Sequence, residues 1–115
     1  MKPALISLTP KEREEILRIL TKPGTCADSL IHTYLGTEAS HPRRRYTTDV
    51  DEALSLVPNG VHFLAGRFEG GRLFWCDVGY RPQVQAWGEN LASAIASAAF
   101  AYLTHPDRGE EMPMH

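Results

Sequence analysis

The stretch that decides the fold runs from Val61 to Glu89 and reads VHFLAGRFEGGRLFWCDVGYRPQVQAWGE. Aromatic and β-branched residues dominate it, and Gly70-Gly71 and Arg81-Pro82 divide it into three runs of similar length. A hydrophobic period of two between such breaks is typical of strands joined by hairpins. The stretch therefore predicts a three-stranded antiparallel meander.

The two tryptophans of this meander can share one face of the sheet. Because side chains alternate along a strand, Trp75 points away from Cys76, and Trp87 on the next strand can lie beside Trp75, together with Leu73 and Arg67. An uncovered tryptophan pair with an arginine would form a binding hot spot. We favour the alternative, in which the N-terminal helices bury both tryptophans as core.

Two helices are predicted before residue 37. The first has Thr9 as N-cap, Pro10 in its first turn and Glu12 completing a capping box, and it ends near Thr21. The second begins at Thr25, and Gly36 ends it. The short KPG turn between them predicts an antiparallel helical hairpin, followed by a surface loop over residues 37–45.

A third helix is predicted just before the meander and a fourth after it. Thr48 can cap the third, whose apolar positions continue to Val57 and whose acidic first turn favours the helix dipole. The fourth, NLASAIASAAFAYL from Asn90, is apolar on nearly every side, so we expect it to lie buried between the sheet and other helices.

These elements predict a single α+β domain over residues 1–103. The order is α-α-α-β-β-β-α, a three-stranded antiparallel meander flanked by helices in a layered α/β/α sandwich. The polar segment over residues 104–115 is predicted to be a disordered tail.

Composition and charge exclude several function classes. The 115 residues are 43% hydrophobic and 23% charged, and no apolar run approaches the ~18 residues of a membrane span. Nothing at the N-terminus resembles a signal peptide, so we expect a cytoplasmic protein.

The net charge of -2 disfavours general nucleic-acid binding. The element order also fits a duplex-RNA-binding domain, but the last helix lacks the cationic start which that domain needs.

The sequence predicts no metal, cofactor or catalytic group. Its five histidines are scattered, and its two cysteines, Cys26 and Cys76, are expected to be free buried thiols. Cys26 and His32 share a helix, but no third group is placed to orient them as a catalytic pair.

A short cationic segment, HPRRRYTTDVDE, precedes the third helix. Arg43, Arg44 and Arg45 can bind phosphates or a nucleotide, with the Tyr46 ring stacked on a base. We favour a solvated loop in which the arginines pair with the acidic residues that follow.

The segment from Tyr46 to Gly60 resembles a motif of the phage ABA-sandwich domain family. That motif has a tyrosine and threonine entry, a short acidic helix and then Leu-Val-Pro-x-Gly, and its positions here are Tyr46, Thr47, Thr48, Asp51, Glu52, Ala53, Leu56, Val57, Pro58 and Gly60. The alanine-rich last helix extends the resemblance to about Arg13–Leu103, although Asn90, Leu91 and Ala96 stand where the family usually has Thr, Pro and Cys. The resemblance implies an α-β-α layered fold and a phage or prophage origin, and it supplies no catalytic residues.

The sequence and the resemblance together predict a non-enzymatic protein of phage or prophage origin that acts by stoichiometric contact with a host or phage protein, for example as an inhibitor of a host defence complex such as an anti-CRISPR. The expected contact residues are Arg43, Arg44, Arg45, Tyr46, Arg67, Trp75, Arg81 and Trp87. The alternative is a module that sequesters a nucleotide or another small signal molecule. Self-association is a further expectation, and its order stays open.

Overall fold

The computed structural model describes residues 8–35, 45–80 and 83–105. Its elements are α1 (Pro10–Leu20), α2 (Thr25–Leu35), α3 (Val50–Leu54), β1 (Phe63–Arg67), β2 (Phe74–Val78), β3 (Val84–Gly88) and α4 (Leu91–Leu103). The predicted α+β class and element order are confirmed. The predicted tail beyond residue 105 and most of the predicted loop over residues 37–45 lie outside the described residues.

The three strands form one antiparallel sheet in the order β1-β2-β3. The register aligns Ala65, Cys76 and Ala86 in one row across the strands. Cys76 and Val78 on β2 are fully buried, and Val84 on β3 is buried on the same side of the sheet. The predicted meander and its alternation are therefore confirmed, with one face turned into the core.

The centre of the core is α4, which packs against all three strands on one side and against α1 and α3 on others. Every residue from Ala92 to Ala101 is buried, as the all-round apolar pattern predicted. Its small side chains allow close approach to the sheet, and at Gly88 even a Cβ atom would run into Ser93 and the backbone of Ala94. No helix in the described ranges is long and apolar enough to cross a bilayer.

The ends of α1 and α4 are capped as the sequence predicts. Thr9 and Glu12 form the reciprocal capping box of α1, with both bonds at 3.1 Å. The Asn90 side chain accepts from the Ser93 backbone at 2.7 Å, and the Ser93 hydroxyl closes a second box at the start of α4. These local signals fix where each helix begins.

The third helix is shorter than predicted, and a different residue caps it. Asp49, not Thr48, is the N-cap, and its carboxylate accepts from the backbone of Asp51 at 2.9 Å and of Glu52 at 3.2 Å. The backbone N–H of Thr48 instead bonds to the Arg45 carbonyl at 3.2 Å in the preceding turn. The helix ends at Leu54, so the apolar positions that follow it reach the core from turns rather than from a helix.

Candidate binding surface

One face of the sheet is turned away from α4, and we call it the outer face. Six residues of the paired strands form it: Leu64, Gly66, Trp75, Asp77, Gln85 and Trp87. Leu64 is 52% exposed and Trp87 is 47% exposed, whereas Cys76, Val78 and Val84 on the opposite face are buried. The outer face is therefore an apolar surface open to solvent.

The prediction that the N-terminal helices bury both tryptophans is wrong for Trp87. Helix α1 packs against α4 and α2 instead of against the outer face. The reason lies in α4, which is apolar all round and so offers α1 a second apolar side away from the sheet. Trp75 is half-buried because its ring packs over Gly66 on the neighbouring strand, and not because a helix of the N-terminal hairpin covers it.

The Trp75 indole lies over Gly66 on the neighbouring strand. These residues are paired in the register, and a Cβ atom at position 66 would stand 2.7 Å from Cζ2 of the ring. The ring thus fills the space that a side chain on β1 would occupy, an arrangement known to rescue glycines in sheets. Trp87 is paired with Trp75 on its other side. We call these two neighbouring tryptophans of the outer face the aromatic ledge.

Asp77 and Gln85 form a polar pair on the outer face, each two residues from the tryptophan of its own strand. The Gln85 Nε2 donates to Asp77 Oδ1 at 2.8 Å, and Leu64 is paired with Asp77 from the other strand. Asp77 is the one charged residue among the six residues that form the outer face. The face therefore combines an aromatic ledge with a single acidic group.

Further exposed aromatics lie at the ends of the strands. Phe68 is exposed just after β1, and its backbone N–H continues the hairpin with a bond to the Leu73 carbonyl at 2.9 Å. Tyr80 is exposed after β2 and stacks on His62, with ring centroids 4.6 Å apart and an interplanar angle of 23°. These residues extend the apolar surface of the sheet beyond its paired strands.

Arg67 does not join the tryptophans as expected. It is paired with Phe74, which belongs to the opposite side of the alternation from Trp75. Its side chain is exposed because it stands at the end of β1. Leu73 is half-buried beside the ledge. Arg81 lies outside the described residues.

The predicted cationic segment is described only from Arg45 onwards, so Arg43 and Arg44 lie outside the described residues. Arg45 is exposed, and its backbone N–H donates to Glu52 Oε1 at 2.8 Å. Tyr46 is only 5% exposed and belongs to the hydrophobic core. Its ring is therefore not presented for stacking on a base, contrary to that expectation.

A buried hydrogen-bond centre at Thr47 was missed by the sequence reasoning. Both the backbone N–H and the hydroxyl of Thr47 donate to Asp28 Oδ1 at 2.8 Å, and the Gly24 backbone N–H donates to the Thr47 hydroxyl at 2.9 Å. These bonds join the start of α2 to the turn before α3. Two features of the sequence could have indicated this contact: Asp28 lies in the first turn of α2, and Thr47 is a polar residue between two core segments.

The two cysteines differ in their surroundings. Cys76 is fully buried, and burial, with a smaller contribution from the charge of Asp77, raises the pKa of its thiol to about 12. Cys26 is exposed, so the prediction of a buried thiol is wrong there. Within the described ranges no three His, Cys, Asp or Glu residues are grouped so that they could hold a metal ion.

The buried hydroxyls of Thr47 and Thr104 donate to Asp28 Oδ1 at 2.8 Å and to the Phe100 carbonyl at 2.7 Å, respectively. Within the described ranges, two other buried side-chain atoms have no hydrogen-bond partner: Nδ1 of His32 on α2 and Oγ of Ser97 on α4. Neither atom belongs to the outer face, which remains the best candidate for a functional surface.

No protein-family model, curated protein or solved structure matches this chain. The resemblance to the phage ABA-sandwich family therefore stays a prediction. Three residues of the motif that carries this resemblance stabilise the fold. Tyr46 and Ala53 lie in the core, and Thr47 is the buried hydrogen-bond centre.

Proposed function

We propose that this chain is a non-enzymatic binding protein that contacts a protein partner through the outer face of its sheet. The observation that carries the proposal is the exposure of Trp87 and Leu64 beside Trp75, on a sheet whose other face packs against α4. Tryptophan is among the residue types that contribute most to protein interfaces. A face of this composition is suited to close apolar contact.

The exposed apolar area contributes free energy to binding when a partner covers it. Covering Trp87 and Leu64 would remove on the order of 100 Å² from water at each residue, about 2.5 kcal/mol apiece at about 25 cal/mol per Å². Association also costs translational and rotational freedom, so only part of this free energy becomes affinity. The resulting expectation is a binding surface whose strength depends on these two side chains.

The hydrogen bonds that the polar groups make within the fold support a non-enzymatic role. Asp49 and Asn90 cap helices, Asp28 holds Thr47, and Arg13 binds the end of α4. A general base or nucleophile needs a partner that activates it and space for a substrate. Groups already committed to local structure are poor candidates for that work.

The kind of partner follows from the resemblance alone. A phage or prophage origin favours a host or phage protein as the target, and inhibition of a host defence complex, as by an anti-CRISPR, is the form of contact we propose. The outer face supplies a surface for such contact without requiring any chemistry from the target.

Site-specific photo-crosslinking tests this proposal. A photoreactive phenylalanine analogue placed at position 87 should crosslink the chain to its partner in host cells, and one placed at Ile19, an equally exposed apolar residue on α1, should not. Trp87→Ala should release the partner while Ile19→Ala retains it. Equal crosslinking from both positions would remove the outer face from consideration.

The nucleotide-binding alternative remains a prediction that rests on exposed arginines, of which Arg45 and Arg67 are described. A thermal-shift screen against nucleotides tests it, because a ligand at 100 times its dissociation constant stabilises a protein by about 2.7 kcal/mol. Sedimentation equilibrium tests the expected self-association.

A further inference from the structure

We propose that the occupant of the outer face is a short cationic amphipathic helix of the partner, packed on Trp75 and Trp87 with a lysine or arginine at Asp77. This inference rests on the proposed binding function and adds the chemistry of the bound segment. Four features of the face support it: its dimensions, the spread of its apolar groups, its charge, and the surroundings of Asp77.

The dimensions of the outer face match one helix. Three strands spaced about 4.8 Å apart and five residues long at about 3.3 Å per residue give a surface of roughly 14 by 17 Å. An α-helix about 10 Å in diameter rises about 1.5 Å per residue, so about eleven residues span this length. The same sheet already accommodates one helix, α4, on its inner face. A second helix outside would place the sheet between two helical layers.

The apolar groups are spread over all three strands. Leu64 lies on β1, Trp75 on β2 and Trp87 on β3, and the Trp75 ring lies over Gly66 on β1. An extended peptide added to the edge of β1 would lie next to Leu64 and not Trp87, and one added to the edge of β3 would lie next to Trp87 and not Leu64, because its contacts follow one strand. A helix that lies on the face reaches all three groups.

The charge of the face selects a cationic segment. Asp77 is its only charged residue, and the next position in the alternation after Trp87 is the exposed Glu89. Within the described strands, the outward positions carry no lysine or arginine, and Arg67 belongs to the opposite side. A carboxylate has about four acceptor sites, of which the Gln85 amide uses one at Oδ1. A cationic side chain can therefore bind Asp77 and also lie on the exposed ring of Trp87.

A second copy of the chain fits less well as the occupant. Two outer faces packed together would bring two Asp77 carboxylates out of water, with no lysine or arginine among the outward strand positions to pair with them. The area of about 240 Å² is also small against the roughly 800 Å² per partner of a standard interface. A single helix requires far less area than a globular partner.

A peptide-display experiment tests the inference. A random 12-residue library is selected on the full-length protein, and each enriched peptide is labelled and titrated by fluorescence anisotropy against wild type, Trp87→Ala, Asp77→Asn and Ile19→Ala. We expect enriched peptides to carry Lys or Arg with apolar residues at helical spacing. Trp87→Ala should weaken binding about tenfold and Asp77→Asn about fivefold, and Ile19→Ala should leave it unchanged.

Three further measurements keep the test decisive if Asp77→Asn folds poorly. Binding to the wild type should weaken as salt is raised, because it depends on a charge pair at the surface. Circular dichroism of the complex minus the free protein should gain a helical signal from the peptide. Backbone NMR shifts upon binding should be confined to residues of the outer face.

The outcomes separate this inference from the function on which it rests. Peptides that need Trp87 but are acidic, bind as strands or are insensitive both to Asp77→Asn and to salt would overturn the cationic helix and retain the binding surface. A selection that returns no peptide dependent on Trp87 would overturn both.

Discussion

The Arg13 guanidinium on α1 donates a hydrogen bond from Nε to Thr104 Oγ1 at the end of α4, at 3.1 Å, across 91 residues of sequence. Its Nη2 donates to the Ala101 carbonyl at 2.7 Å. Positive charge at a helix C-terminus is favourable because the last carbonyls have no partner within the helix. Burial lowers the pKa of Arg13. This contact joins the first helix to the last.

Replacement of Arg13 by Ala should lower the free energy of unfolding by about 1–3 kcal/mol, because it leaves acceptors at the end of α4 without their donor. Urea denaturation followed by circular dichroism measures the change. Arg18→Ala, in the exposed last turn of the same helix, is the matched control and should change stability little. Equal effects of the two substitutions would contradict a special role for Arg13.

Adjacent threonines offer a second matched pair. Thr47→Val removes a buried hydroxyl that bonds to Asp28 and Gly24, so it should cost about 1–3 kcal/mol. Thr48→Val alters an exposed residue and should cost little. Thermal unfolding of both variants is the measurement. The account of Thr47 as a buried hydrogen-bond centre fails if the two variants melt together.

Local signals explain why most of the fold could be predicted. The capping box at Thr9 and the alternation through Cys76 depend on residues that are close in sequence, and the structure confirms both. The error at Thr48 was also local, since two adjacent residues can both cap a helix and an aspartate at the second position did so. Helix boundaries are decided by such competition.

The candidate site could be predicted only in part. The alternation correctly placed Trp75 beside Trp87, but whether a helix covers them depends on which side of α4 attracts α1, and no local pattern encodes that choice. The bond from Arg13 to Thr104 and that from Thr47 to Asp28 likewise join distant segments. Tyr46 was predicted as a surface ring because arginines precede it, yet the chain turns it into the core.

Gly66→Ala should displace the Trp75 ring, because the added methyl group would occupy the place of the indole. In a Trp87→Phe background, Trp75 is the sole tryptophan, so its emission reports on this ring alone. We expect a red shift as the indole moves into water, with a modest loss of stability. An unchanged spectrum would mean that the ring does not lie over Gly66.

The two thiols should differ sharply in reactivity. In the folded protein, Cys26 should react with a thiol reagent such as Ellman's reagent within seconds to minutes at pH 8, whereas Cys76 should react only after unfolding. Cys26→Ser should abolish the fast reaction. Two fast equivalents in the native protein would contradict the burial of Cys76.

The thiol of Cys76 also predicts a dependence of stability on pH. Its pKa is about 12 in the folded chain against an ordinary value of 9.0. Between these values the unfolded chain has lost the proton that the folded chain still holds, so the stability contributed by this group is intact below pH 9 and declines as pH rises towards 12, by at most about 1.4 kcal/mol per pH unit. Urea denaturation from pH 8 to 11 gives the free energy of unfolding of the wild type and of Cys76→Ala. Subtracting one from the other removes the contributions of lysines and tyrosines, which titrate in both proteins. The wild type should lose stability relative to Cys76→Ala, and curves that stay parallel would show that Cys76 ionises equally in both states.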